Sequence, residues 1–124
     1  MDIPIECVIR AGRPDTIDAL REHARRRLSF ALRRFTHRVR RVIVRLSDEN
    51  GPRRGVDTRC SIAAELTDGR RLFVDATGAW PFAAITSAAG RLNGATRRHL
   101  ERDARRGRRR DRAASAERAM LAVT

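Results

Sequence analysis

The chain has 124 residues, 28 of them basic and 15 acidic, for a net charge of +13 and a pI near 11.7. That length fits one domain, and the excess of cations selects polyanionic partners, either nucleic acid or an anionic membrane surface. No stretch approaches the roughly 20 apolar residues of a membrane span.

All 28 basic residues are arginine. A GC-rich coding sequence accounts for the missing lysine, but not for the net charge. Arginine adds bidentate phosphate contacts and base stacking. Aromatics are limited to four Phe and one Trp, so a modest aliphatic core is expected. Met1–Glu6 has neither a basic lead nor an apolar run, and no secretory leader is expected. Cys7 and Cys60 lack CxxC spacing, which argues against zinc and for a reducing, cytoplasmic setting with two buried thiols.

Residues 2–10 alternate, with Ile3, Ile5, Cys7 and Ile9 on one side, and read as a half-buried strand. Gly12-Arg13-Pro14-Asp15 is turn chemistry. Asp15 or Thr16 then caps a helix expected to run to about Phe35. Ile17, Leu20, Ala24, Leu28, Ala31 and Phe35 form its apolar arc; His23, Arg26, Arg27, Phe30, Arg33 and Arg34 face out. Residues 39–46 form a second strand with Val42, Val44 and Leu46 inward. A flexible turn follows over residues 48–55. Residues 57–66 form a third strand with Thr58, Cys60, Ile62, Ala64 and Leu66 on one face. Asp68-Gly69 is a strong hairpin signal, and Leu72, Val74 and Ala76 face inward on a fourth strand, residues 71–77. Trp80 is expected to seal the end of the core.

Pro81 opens a last helix reaching about Arg106. At about 100° per residue, Phe82, Ile85, Ala89, Leu92, Thr96 and Leu100 fall on one side. Arg91, Arg98, Arg102 and Arg105 fall on the other. Gly90 and Gly94 interrupt this helix at about 1 kcal/mol each against Ala. Residues 107–124 carry the block Arg108-Arg109-Arg110-Asp111-Arg112 without an apolar stripe, and read as a disordered basic tail behind a folded domain of residues 1–106.

The expected fold class is α+β, in the order β-α-β-β-β-α. A right-handed crossover makes the first two strands parallel, and hairpins add the others. The result is a four-stranded mixed sheet with both helices packed on one face, a layout like that of a double-stranded-RNA-binding domain. The outer helix faces then present two arginine lines to RNA: Arg26, Arg33 and Arg34 on one, Arg91, Arg98, Arg102 and Arg105 on the other. In the first helix the later turns hold almost no acids to pair with the arginines: after Glu22 the next acid is Asp48. Phe30 either stacks on a base or packs under a loop or a neighbouring chain.

The helix Thr16-Ile17-Asp18-Ala19-Leu20-Arg21-Glu22-His23, the valine-rich strand 39–46, and the last helix with Phe82-Ala83-Ala84-Ile85, Arg91-Leu92 and Arg97-Arg98 occur in an order that resembles the ribosome hibernation-promoting factor and ribosome-associated inhibitor A family. The resemblance covers residues 2 to about 106, with Phe82 standing where that family usually has Tyr and Thr86 where it has Asp. It implies a ribosome-binding domain over residues 1–106 that binds 16S rRNA of the small subunit in the mRNA–tRNA channel. It further implies a bacterial stress-response factor that inhibits translation by steric competition, without cofactor or small-molecule substrate. The chain looks like a short, monomeric form without the dimerisation domain of long members.

Other readings weigh less. A general double-stranded-RNA-binding or ribosome-assembly module would share the basic face. A membrane-surface protein would need a Trp/Leu stripe on the outer faces. An enzyme would need a convergent cluster or motif, and no GxSxG, phosphate-cradling glycine loop or HExxH is found. His23, His37 and His99 are scattered without metal spacing, so they read as surface histidines with no metal site.

Overall fold

The computed structural model describes residues 3–48 and 57–123. β1 (Ile5–Arg10) leads through a short 3-10 turn (Pro14–Thr16) into α1 (Ile17–Ala31). Then come β2 (Val39–Asp48), β3 (Thr58–Leu66), β4 (Arg71–Gly78) and α2 (Pro81–Val123). The turn expected over residues 48–55 lies, beyond Asp48, outside the described residues.

The sheet order is β1-β2-β3-β4. β1 and β2 are parallel, because α1 carries the chain back across the sheet before β2 begins. β2–β3 and β3–β4 are antiparallel. The second hairpin closes where expected: Gly69 takes φ +89°, a conformation that costs glycine nothing. The Arg70 amide donates to Asp68 Oδ1 at 2.9 Å.

The period-two pattern holds along the central strands. Val42, Val44 and Leu46 of β2 are buried, as are Thr58, Cys60, Ile62, Ala64 and Leu66 of β3. Onto this face α1 lays Leu20, Ala24, Leu28 and Ala31, and α2 lays Ala84, Ile85, Ala88, Ala89 and Leu92. Each large aliphatic side chain so buried contributes about 1.5–3 kcal/mol. Both helices therefore lie on one face of the mixed sheet, as expected.

Four boundaries or placements differ from expectation. α1 ends at Ala31, four residues early, and residues 32–38 leave it as successive turns: the Phe35 amide donates to Leu32 at 2.8 Å and the Arg38 amide to Phe35 at 2.9 Å. Leu32 remains fully buried. Trp80 does not seal the core and is 69% exposed. Two residues earlier, a Cβ on Gly78 would meet the Ala84 amide nitrogen at 2.9 Å. Strand and helix backbones touch at this corner, so the end of the core is closed by backbone packing at Gly78 and not by the indole. Small Ala84 and Ala88 are fully buried in the core, whereas Phe82, expected on the apolar side, is 40% exposed and meets the His23 ring instead.

The largest difference is α2 itself. It spans 43 residues, about 65 Å at 1.5 Å per residue. It continues through the stretch 107–123 that reads as disordered. Ala, Arg, Glu, Leu and Met dominate there and are strong helix formers, so the segment is helical without burying anything. From Arg108 to Ala122 every residue is exposed. The missing apolar stripe signals the absence of packing, not of helix.

Candidate nucleic-acid interface

α1 and α2 are stitched side by side on the face away from the sheet. Asn93 Nδ2 donates to the Ala31 carbonyl at 2.7 Å, satisfying a terminal carbonyl of α1. His23 Nε2 lies 3.2 Å from the Phe82 carbonyl and 3.0 Å from Thr86 Oγ1. Its ring meets Phe82 edge-on at 5.1 Å. His23 is thus a half-buried seam residue, not an outward surface histidine.

A cleft of about 460 Å³ opens over this seam, lined by Arg27, Phe30, Arg33, Arg34, Thr86, Gly90, Asn93 and Arg97 among others. Phe30 projects outward and is 63% exposed. The Arg33 guanidinium sits 4.1 Å over its ring and donates to the Phe30 carbonyl at 3.0 Å. Arg27, Arg34 and Arg97 form no ion pair among the described residues.

A second cleft, about 420 Å³, lies on the other flank of α2 against β4. Phe73, Val74, Asp75, Gly90, Arg91, Gly94 and Arg98 line it. Arg91 Nη1 donates to the Asp75 carbonyl at 2.6 Å, while the Asp75 carboxylate is taken by Arg59. Gly90 borders both clefts. A Cβ there would meet nothing within 4 Å, and one on Gly94 would meet only the flexible tip of Arg98 at 3.1 Å. Packing requires neither glycine. Gly90 leaves the helix open between two arginine-lined flanks, and Gly94 makes room for the Arg98 guanidinium to lie against the helix.

The seven arginines expected at the interface are thus distributed. Arg33 and Arg34 stand with Phe30 in the seam cleft; Arg91 and Arg98 stand across the crest. Arg26 lines neither cleft and is paired with Glu22 at 3.0 Å. Arg102 and Arg105 lie further along α2, with Arg105 4.0 Å from Glu101. Arg27 and Arg97 join the seam cleft, which the sequence reading missed. Their signal is the position of the helix–helix seam, set by Asn93 four residues before Arg97 and invisible on either helix alone.

The uncovered sheet face carries both ion pairs and a basic cleft. Glu65 pairs with Arg41 at 2.9 Å and with Arg40 at 3.7 Å, and Asp75 with Arg59. A cleft of about 540 Å³ there includes Arg10, Arg45 and Arg59.

His99 also departs from expectation. It is only 4% exposed, with Nε2 3.2 Å from Asp68 Oδ2 and 3.4 Å from Asp103 Oδ2. Two carboxylates therefore converge on a buried histidine, where scattered surface histidines were expected. The signal was present: Leu92, Thr96 and His99 share one helical stripe. The Arg70 amide, and secondarily His99, hold the Asp68 carboxyl below the usual carboxylate range. Burial pushes the Cys60 thiol up to about 12 and raises that of Cys7 as well.

Two helices on one face of a four-stranded β1-β2-β3-β4 mixed sheet, with arginine-lined clefts along the second helix, define a small basic α+β module. Residues 9–104 match the family described as Sigma 54 modulation protein / S30EA ribosomal protein, and the chain belongs to that family. Its members are ribosome-associated modulation factors of translation and not a known class of enzyme. Among solved structures, the crystal structure of the Thermus thermophilus Protein Y N-terminal domain is similar. It is 24% identical, with a TM-score of 0.61 over 80% of this chain and 99% of that one. That likeness shows the fold. No curated protein matches the chain. No described helix is long and apolar enough to cross a membrane.

Proposed function

We propose that the chain is a ribosome hibernation factor that binds 16S rRNA of the small subunit in the mRNA–tRNA channel and blocks translation by occupying it. One observation carries this reading: the crest of α2 at Gly90 lies between two arginine-lined clefts. A phosphate backbone crossing the crest meets Arg33, Arg34 and Arg97 on one side and Arg91 and Arg98 on the other. Arginine suits both tasks, bidentate phosphate contact and stacking. Phe30, already under Arg33, supplies an apolar platform for an unstacked base. Arg102 and Arg105 extend the line, and Arg26 adds long-range attraction while paired. RNA of this kind is recognised by shape and phosphates more than by base edges. The protein acts as a monomer in the cytoplasm, and inhibition is steric.

Co-sedimentation with purified small subunits tests this. Binding is expected at low salt. With about six phosphate contacts it falls on the order of a thousandfold between 50 and 200 mM salt. Changing Arg91, Arg98 and Arg102 together to Ala abolishes it with the fold intact. Failure to co-sediment at low salt overturns the reading. Equal affinity for free duplex RNA points instead to a general RNA-binding module.

A further inference from the structure

We propose that Asp68, His99 and Asp103 form a binding site for one divalent transition-metal ion of the zinc class, which clamps the β3–β4 hairpin to α2. The three donor atoms lie within 4.8 Å of one another. Nε2 of His99 is 3.2 Å from Asp68 Oδ2 and 3.4 Å from Asp103 Oδ2. Charge-assisted N–H···O contacts favour about 2.7–2.9 Å, and one Nε2 proton serves only one acceptor well. Tetrahedral coordination at about 2.0–2.1 Å instead sets neighbouring ligand atoms about 3.3–3.4 Å apart. The two separations from His99 are close to edges of that tetrahedron, and the Asp68 and Asp103 donors lie within 4.8 Å of each other.

The ligands are also held in place. His99 and Asp103 stand one turn apart on the same face of α2. Asp68 comes from the hairpin turn, where its Oδ1 accepts the Arg70 amide at 2.9 Å and its Oδ2 is aimed at His99. A ligand whose second oxygen is fixed by the backbone is an outer-shell arrangement that orients metal donors. One imidazole and two carboxylates neutralise a dication and suit Zn²⁺ or Co²⁺. The imidazole is sealed inside, whereas the side chains of Asp68 and Asp103 are 31% and 28% exposed. A metal would therefore have its fourth position toward solvent, where water completes the shell. None of the three residues lines the arginine clefts, so this site is separate from the proposed RNA surface.

The test uses the full chain and no ribosome, so its outcome is independent of the translation reading. Calorimetric titration with Zn²⁺ is expected to show one ion bound per chain. Co²⁺ is expected to give the intense visible absorption of a tetrahedral site. Asp103→Asn and Asp68→Asn, both near the surface and checked for native circular dichroism, each weaken Zn²⁺ binding about tenfold or more and abolish the cobalt band. Absence of uptake, or uptake that both variants leave unchanged, overturns the proposal. The second result would place the metal on other donors, such as the thiols.

Discussion

Asn93 Nδ2 donates to the Ala31 carbonyl at 2.7 Å, and this bond sets the spacing of the seam cleft. It ties the last residue of α1 to the N-terminal third of α2, between Gly90 and Arg97. Asn93→Ala leaves a terminal helix carbonyl unpaired in a part-buried position. The expected loss is about 1–2 kcal/mol, several degrees in Tm for a domain of this size. Thermal unfolding followed by circular dichroism measures it. An unchanged Tm would mean that packing alone fixes the seam.

The thiols predict an alkaline limit to stability. Burial raises Cys60 to about 12 and raises Cys7 as well, against the counteracting charges of Arg21 and Arg25. A thiol in the unfolded chain ionises near about 8.5. With the folded value raised, the stabilisation is complete below the unfolded value and is lost as pH rises through the folded one. Stability should therefore be flat near neutrality and fall between about pH 9 and 12, by about 1.4 kcal/mol per pH unit through Cys60, with half-buried Cys7 adding in the same direction. The chain has neither Lys nor Tyr to titrate in that window. Denaturant melts from pH 8 to 11 should show the slope, and Cys60→Ala should remove most of it. A pH-independent wild type would refute the burial account.

The outer part of α2 is predicted to be dispensable for folding. Residues 108–122 are exposed along their whole length, so deleting residues 107–124 should change stability by no more than about 0.5 kcal/mol. The far-UV helical signal should fall. Ribosome binding should weaken modestly through the loss of non-specific charge. Complete loss of binding on gradients would make this rod the principal contact.

Most of the fold is legible from side-chain period. Val42-Val44-Leu46 and Cys60-Ile62-Ala64-Leu66 alternate cleanly because one sheet face is buried, and Asp68-Gly69 marks its hairpin by turn chemistry alone. What one element cannot show about its neighbour is less legible. His23 reads as outward until Phe82 and Thr86 of α2 close over it. Arg97 reads as one more surface charge until α1 fixes which side of α2 forms the seam. Trp80 stays exposed while the close strand–helix approach at Gly78 closes that corner, and no pattern announces either. The helix beyond Gly107 is a different failure: its alanines and arginines favour helix without any buried face to advertise it.

The central claim is the proposal that the α2 crest at Gly90 and its flanking arginines occupy the channel that mRNA and tRNA use. Competition on the small subunit tests this most directly. Subunits preloaded with mRNA and tRNA should bind the labelled protein far more weakly than empty subunits at the same salt, and excess protein should displace the preloaded RNAs. Simultaneous, undiminished binding of protein, mRNA and tRNA would contradict the account.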